Sequence, residues 1–288
     1  MLTSNIFDSY QLIDAGGKEK LELWNGIKLR RPDPMAIWPK NEEIDWNDCD
    51  GFYHRSNKGG GFWEYKKKLP EKWTVSYREL KFKVSPTGFK HTGLFPEQAA
   101  NWDFIYETIM NANQEVKVLN LFAYTGAATM VASAAGASEV VHVDAAKGMV
   151  EWAKENRDLS KLNDHHIRFI VDDCLKFIQR EIRRGRKYQG IIMDPPSYGR
   201  GPNNEVFRFE DEINPLIEGC LQLLSDDALF FIINTYTTGY SPTVMINTLK
   251  RQMAKRGISG NVMSDEIGIR IKDSLEVLPC GQTTRWTR

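Results

Sequence analysis

Apolar residues follow two different rhythms along this chain. Up to about residue 95 they come in short alternating runs, at 24–29, 51–54, 61–65, 73–77 and 80–84. Gly59-Gly60-Gly61, Pro70 and Pro86-Thr87-Gly88 punctuate them. A period of two between turn residues predicts strands. Residues 1–95 therefore read as a smaller β-rich N-terminal domain. Trp24, Trp38, Trp46, Trp63 and Trp73 all fall within it. They either fill a small core or present stacking surfaces for nucleobases.

From Glu115 onward, apolar strand-like runs alternate with helix-like ones. Strands are expected at 116–121, 139–143, 167–171, 190–193 and 228–233. Helices are expected at 127–135, 146–159, 175–184 and 244–255. Leu175, Ile178 and Ile182 share one face of the third of these. Asn214 as an N-cap with Pro215 at the first helical position predicts a further helix running toward Leu224. Strands alternating with helices define an α/β domain, here 96–288, with a doubly wound, mainly parallel sheet covered on both faces. Ligands of such sheets bind beyond the carboxyl ends of the strands.

Four strand ends carry candidate chemistry. The first is followed by Asn120-Leu121-Phe122-Ala123-Tyr124-Thr125-Gly126. One glycine is not the G-x-G-x-x-G that brings a backbone onto a pyrophosphate. It suits a bulkier, less anionic ligand such as the amino-acid end of S-adenosylmethionine (SAM), or is simply a turn. The second strand ends on Asp144, which either accepts from ribose hydroxyls or caps the next helix. After the third come Asp172-Asp173-Cys174. Asp173 is the candidate for an adenine amino group, with helix capping as the alternative. The fourth leads into Asp194-Pro195-Pro196-Ser197-Tyr198-Gly199. Two prolines are costly in any regular element, so they predict a rigid loop that aims Asp194 and its neighbouring carbonyls at a fixed point.

With these motifs in hand, residues 80–288 resemble class I SAM-dependent methyltransferases. In particular they resemble bacterial 23S rRNA cytosine-C5 methyltransferases and their relatives. His91-Thr92-Gly93-Leu94-Phe95-Pro96-Glu97-Gln98 is similar to that family's T-G-[YF]-x-x-D-Q segment, and Phe122-Ala123-Tyr124-Thr125-Gly126 to its F-x-Y-T-G. The resemblance implies a seven-stranded Rossmann-like sheet, SAM as cofactor and a base in RNA, ribosomal RNA first, as acceptor. It implies a cofactor site at Phe95, Gln98, Asn120, Phe122, Tyr124, Thr125, Gly126, Asp144, Asp173, Cys174 and Asp194. Asp194 and the Pro195 carbonyl would orient the acceptor, and either Tyr198 or Tyr236 across the cleft would stack on it. Two departures stand out. Residues 1–80 do not match the family's pseudouridine-synthase-like RNA-binding module. Tyr236, in Asn234-Thr235-Tyr236-Thr237-Thr238-Gly239, stands near the position of the family's cysteine. Carbon 5 of cytosine becomes nucleophilic only after a thiolate adds to carbon 6.

Composition narrows the remaining classes. The 288 residues hold 38 Lys+Arg and 38 Asp+Glu, so net charge gives no global sign of nucleic-acid binding. Local clusters exist: Arg180, Arg183, Arg184 and Arg186 stand around a single Glu181, with Lys66-Lys67-Lys68 and Arg200 elsewhere. They either meet phosphates or form a solvated helix face. Cys49, Cys174, Cys220 and Cys280 are scattered, which predicts free thiols and no metal site. No apolar run approaches the roughly 20 residues of a membrane span, and residues 1–16 lack a secretory pattern. The expected location is the cytoplasm. Three readings remain: a methyltransferase acting on RNA, one acting on another acceptor, and a SAM-binding, RNA-associated protein without turnover. A nicotinamide oxidoreductase is opposed by the missing glycine fingerprint.

Overall fold

A computed structural model describes residues 1–7, 9–56, 60–88, 90–200, 206–237 and 239–288. Gly59, Thr238 and the Arg200 side chain, named above, lie outside what is described. The chain divides into two compact units. One holds Leu2–Ala100 and Ile267–Cys280; the other holds Met1, Asn101–Glu266 and Gly281–Arg288. Residues 267–280, expected with the C-terminal domain, count with the N-terminal unit. Their backbone bonds to its first residues, through Gly268 N–H to the Leu2 carbonyl and Lys272 N–H to that of Leu12.

In the N-terminal unit, β1 (Tyr10–Gly16), β2 (Glu19–Trp24), β3 (Ile27–Pro32), β4 (Gly51–Arg55) and β5 (Gly61–Tyr65) form a sheet in that order. β6 (Trp73–Tyr77) and β7 (Leu80–Val84) form a separate hairpin. The single strand expected at 24–29 is instead the junction of β2 and β3. Asn25 and Gly26 turn the chain there at φ 48° and 87°, the positive angles that a two-residue hairpin turn needs. Of the five tryptophans, Trp24 and Trp46 are buried and Trp38, Trp63 and Trp73 are half-buried. Trp24 is fully buried, and the indole N–H groups of Trp46, Trp63 and Trp73 donate to Asp14, the Thr87 carbonyl and the Trp24 carbonyl.

A buried charge pair anchors this sheet. Arg31 donates twice to Glu22, at 2.6 and 2.7 Å, and the Tyr10 hydroxyl donates to the same carboxylate at 2.8 Å. Burial raises the Glu22 pKa, but the charges of Arg31 and Lys20 more than offset this and hold it at about 2.

The C-terminal unit is built on a seven-stranded sheet to which β8 (Lys117–Leu121), β9 (Glu139–Asp144), β10 (Ile167–Val171), β11 (Gly190–Met193), β14 (Phe230–Thr235), β15 (Asn261–Arg270) and β16 (Val277–Thr287) contribute. The order is β10-β9-β8-β11-β14-β16-β15. Pairings from β10 through β14 are parallel, and β16 runs antiparallel to β14. β12 (Tyr198–Arg200) and β13 (Val206–Arg208) make a small hairpin beside it. β11 and β14 are buried at every residue, which explains their unbroken apolar runs.

Side-chain parity sorts the helices. Leu119, Leu121, Val141, Val143, Ile191, Met193, Phe231 and Ile233 pack in one apolar cluster. With them pack residues of α4 (Cys174–Arg183), α5 (Phe209–Leu223) and α6 (Pro242–Lys255). The opposite parity meets α1 (Ala99–Met110) and α2 (Ala127–Ala134), through Phe230 with Phe104 and Asn120 with Thr129. α3 (Lys147–Leu159) packs along β9 and β10. α5 begins five residues before Asn214, so Pro215 lies inside it rather than at its start. Pro215 is exposed; the carbonyl that loses its donor faces water, while Phe209, Ile213, Leu216 and Ile217 bury the other side.

Arg31→Ala should cost about 3–5 kcal/mol, because Glu22 is left buried without its countercharge. Urea denaturation measures this as a lower midpoint. The contribution of Glu22 is present at neutral pH and should disappear as pH falls from about 4.5 toward 2, where the native carboxylate finally protonates. An unshifted midpoint in Arg31→Ala would remove the pair from the stabilising interactions.

Candidate active site

Strand register lines up four loops on one edge. Leu121 pairs with Val143 on one side and Met193 on the other, and Met193 pairs with Ile233. The next residues, Asp144, Phe122, Asp194 and Asn234, therefore stand in a row at the carboxyl ends of β9, β8, β11 and β14. With strands about 4.8 Å apart, Asp144 and Asp194 are separated by roughly 10 Å across the sheet. The chain reverses direction of travel across the sheet between β8 and β11. That is where open α/β sheets form a ligand crevice.

The loop after β8 is held in an uncommon conformation. Phe122 and Tyr124 have φ of 54° and 51°, and Gly126 has 85°. Non-glycine residues persist at positive φ only where their surroundings demand it. Here nearly every polar group is tied. Phe122 N–H donates to the Cys174 Sγ at 3.3 Å, Ala123 N–H to the Val143 carbonyl at 3.0 Å, and Tyr124 N–H to Asp144 Oδ2 at 2.8 Å. Asn156 Nδ2 donates to the Thr125 carbonyl at 2.8 Å. Gly126 is required twice over: its φ is positive, and an added Cβ would sit 2.9 Å from the Ala153 methyl.

Asp144 gathers this loop. Oδ1 accepts from Ala146 N–H and Oδ2 from Tyr124 N–H, both at 2.8 Å. Burial pushes its pKa up, opposed by the two backbone N–H groups. An ionised carboxylate has about four acceptor positions, so two remain for hydroxyl donors after the backbone bonds. That donor chemistry fits the vicinal diol of an adenosyl group. α3 itself starts after Ala146 without a side-chain cap.

The other expected residues divide. Asp173 is the N-cap of α4, accepting from Lys176 N–H at 2.8 Å, so the capping alternative holds for that oxygen. Asp172 accepts from Asp173 N–H at 2.9 Å and pairs with Arg180. Asn120 is buried and donates to Thr129 Oγ1, which in turn bonds His142 Nδ1. Burial lowers the His142 pKa to about 3, so this chain is neutral. Cys174 is a buried prop for Phe122, and burial raises its pKa well above that of a free thiol. Phe95 and Gln98 fall in the N-terminal unit, where Gln98 is buried in a 3-10 turn at Pro96–Gln98 that Phe95 precedes. Much of the arginine run is paired: Arg180 meets Asp172, Arg184 and Arg186 meet buried Glu181, and Arg186 also meets Glu139.

Around the proline loop, Asp194 is half-buried, Pro195 is buried and Tyr198 is 55% exposed. Thr237 donates its hydroxyl to Ser197 Oγ at 2.9 Å, fastening the loop after β14 to the loop after β11. The Tyr236 ring lies directly on the backbone of Gly281, where a Cβ would come within 2.8 Å of it. Asn156, Thr237 and Gly281 carry no signal in the sequence that marks them for the site, because their partners are distant in the chain. The lone hint is a glycine late in the sequence.

The fold and this row of loops define an α/β protein of the class whose strand-end crevice suits a nucleoside-bearing cofactor. The chain belongs to the S-adenosylmethionine-dependent methyltransferase family, which its residues 53–245 match. A SAM-dependent methyltransferase from Agrobacterium tumefaciens has 37% sequence identity and superposes with a TM-score of 0.93, covering 99% of this chain and 92% of that one. The ribosomal RNA large subunit methyltransferase K of Neisseria meningitidis is 26% identical over 208 residues. That match takes in 71% of this chain but only 56% of the relative's length. The methyltransferase SMU.776, solved with SAH, shares the fold at 19% identity and a TM-score of 0.72, covering 99% of this chain and 76% of that one. The cofactor is SAM. The finer resemblance to the cytosine-C5 enzymes gains no specific support from these relatives.

Asp144→Ala should weaken SAM binding by more than tenfold, from the loss of hydrogen bonds to a charged acceptor worth about 1.5–3 kcal/mol. Calorimetry reads this directly, with circular dichroism to verify the fold. Unchanged affinity would exclude Asp144 from the cofactor site.

Proposed function

We propose that this methyltransferase modifies a base in RNA, with large-subunit ribosomal RNA as the first candidate, and that the accepting atom is a nitrogen. When bound, SAM supplies a methyl group already activated on a sulfonium. The protein's part is to align an acceptor and exclude water. The observation that carries the reading is the row of loops, in which a rigid Asp-Pro-Pro turn stands about two strand spacings, roughly 10 Å, from Asp144. Asp194 and the Pro195 carbonyl would orient the acceptor, and exposed Tyr198 or Tyr236 would stack on it. A base inside a duplex would have to be extruded to reach this edge. The name of the Neisseria relative supports ribosomal RNA, and a ribosomal substrate would be met in the cytoplasm.

A nitrogen acceptor is favoured over carbon 5 of cytosine by the state of the thiols. Cys49, Cys174 and Cys220 are buried and Cys280 is half-buried. Burial raises the pKa of all four. None has the depressed pKa of an activated thiolate, whereas a ring or exocyclic nitrogen attacks without an enzyme nucleophile.

The test is transfer of labelled methyl from SAM to large-subunit rRNA prepared from a strain lacking the gene, followed by nucleoside mass spectrometry. A base methylated on nitrogen is expected. Transfer only to a non-RNA acceptor, or SAM binding without any transfer, would replace this reading with one of its rivals.

Asp194→Ala should abolish transfer while changing SAM affinity far less than rate, since a group that orients the acceptor acts mainly in the transition state. Wild-type turnover at saturating SAM and RNA would contradict that role. Changing all four cysteines to Ser or Ala in a folded variant should leave major activity intact, and 5-fluorocytosine RNA should trap no covalent adduct. A denaturation-resistant enzyme–RNA band that depends on one cysteine would instead restore the cytosine-C5 chemistry.

A further inference from the structure

One face of the N-terminal sheet collects cations that its carboxylates do not neutralise. Lys20 of β2 pairs with Arg31 of β3, and the pairing of Leu29 with Gly51 sets β4 in step beside them. Tyr53 of β4 pairs with Trp63 of β5, Gly51 with Tyr65, and Arg55 with Gly61. Side chains alternate along a strand, so Lys20, Arg31, Tyr53, Arg55, Trp63 and Tyr65 share this face. The segment after β7 crosses it and is pinned at two points. Trp63 Nε1 donates to the Thr87 carbonyl at 2.9 Å, and Arg31 Nη1 to the Lys90 carbonyl at 2.8 Å. The Thr87 N–H and hydroxyl both donate to the His91 carbonyl, at 3.2 and 3.0 Å. Lys90 and His91 are thereby held against the sheet.

The charges here are unequal. Lys20 pairs with Asp33 at 3.4 Å and Arg31 with Glu22 at 2.6 Å. Arg55 is exposed and Lys90 half-buried, and neither side chain has an ion-pair or hydrogen-bond partner among the described residues. The cross-strand neighbour of Arg55 is Gly61, which has no side chain to cover it. Burial lowers the Lys90 pKa, and the charges of Lys20, Arg31 and Arg55 lower it further against one opposing carboxylate, Asp33. Burial and the charges of Arg31, Lys90 and Lys20 hold the His91 pKa at about 4, so that imidazole is neutral at pH 7. An ammonium kept among like charges is stabilised by any anion that takes the place of the missing carboxylate. The opposite face of the sheet is balanced: Arg30 pairs with Glu19, Lys28 with Asp48 and His54 with Glu64.

Two parallel rings lie beside the cations. Trp63 and Tyr65 have centroids 6.1 Å apart and planes within 6° of each other, and Tyr65 is 46% exposed. At about 3.3 Å per residue, Tyr65 stands roughly 13 Å along β5 from the end where Arg55 lies. Cations leading to an exposed ring suit a phosphodiester chain with unstacked bases, since phosphates meet the cations and a base stacks on the ring. A free phosphate would not span that distance, and an acidic protein segment would not need the ring.

We propose that this face is a docking surface for single-stranded segments of the RNA substrate, with Lys90 and Arg55 each meeting a phosphate and Tyr65 stacking on a base. The inference rests on the reading of the protein as an RNA methyltransferase.

Filter binding of large-subunit rRNA from a strain lacking the gene, at several salt concentrations, tests it. Arg55→Gln combined with Lys90→Gln should weaken binding at least tenfold. It should also flatten the slope of log K against log salt by about 1.4, since each phosphate contact on a single strand contributes roughly 0.7. Tyr65→Ala should weaken binding at least fivefold and leave the slope unchanged. Lys28→Gln on the opposite face, and the charge-keeping pair Arg55→Lys with Lys90→Arg, should bind within twofold of wild type. SAM affinity by calorimetry and kcat at saturating rRNA should stay constant throughout, with the loss confined to KM. Should the double variant fail to fold, Arg55→Gln alone should show half the slope change. Unchanged affinity and slope in a folded variant overturn the surface while wild-type transfer to rRNA stands. Lost activity on assembled large subunits, with binding to naked rRNA intact, would assign the face to an acidic protein and overturn the proposal as well. If wild-type protein transfers no methyl to any RNA, the functional reading fails first and the surface falls with it.

Discussion

The active edge depends on one carboxylate that holds two backbone N–H groups. Asp144 ends β9, yet one of its oxygens reaches across to Tyr124 in the loop after β8. A non-glycine residue at positive φ costs on the order of 1–3 kcal/mol, and the loop has two of them. A hydrogen bond to a charged group returns about 1.5–3 kcal/mol. The bond to Asp144, with the Phe122–Cys174 and Asn156–Thr125 contacts, thus balances the strain. The same carboxylate stays only partly exposed and keeps acceptor positions that the backbone does not use.

The two faces of the sheet carry different tasks. The face under α4, α5 and α6 is largely apolar, with the buried Tyr188–Glu181 hydrogen bond as an exception. It supplies burial and little else. The face under α1 and α2 admits polar side chains at chosen points: Asn120 and His142 in the interior, Asn234 at the rim. Each of these finds a partner on a helix, Thr129 or Asn101. A satisfied polar group in a dry interior has few alternative arrangements. The apolar face can tolerate repacking, whereas the polar face fixes orientations. The chemistry is proposed on the edge where that fixed face ends.

How much of this was legible depended on whether the signal was local. Strands buried on both faces, such as β11 and β14, announce themselves as apolar runs, and four of the helices predicted in this domain lie within about two residues of their positions. The Asn25-Gly26 turn was equally local, but two short strands flanking it read as one. Pro215 misled because a helix start and an exposed mid-helix proline share the same residue. β15 was hidden: its residues mix exposed, half-buried and buried positions without clean alternation. For the candidate site, the strand-end rule pointed to Asp144 and Asp194, which stand in the row of strand-end loops. It could not separate Asp144 from Asp173, since the same residue type after a strand serves a neighbouring loop in one case and caps its own helix in the other. The contact from Arg285 to Asn101 spans 184 residues, and no local pattern encodes it.

That long span bears on how the protein is made. β16 comes after α6 in the chain but lies inside the sheet, between β14 and β15. A nascent chain that has extruded everything through α6 already has the Asp144, Phe122, Asp194 and Asn234 loops. It still lacks Thr283 and Arg285, whose side chains both donate to the buried Asn101 Oδ1. Synthesis proceeds from the N-terminus, and the edge acquires its final hydrogen-bonding sense only when the strand bearing those two residues has docked. Birth of the polypeptide and completion of this buried hydrogen-bonded rim are thus separate events, divided by the arrival of one late strand.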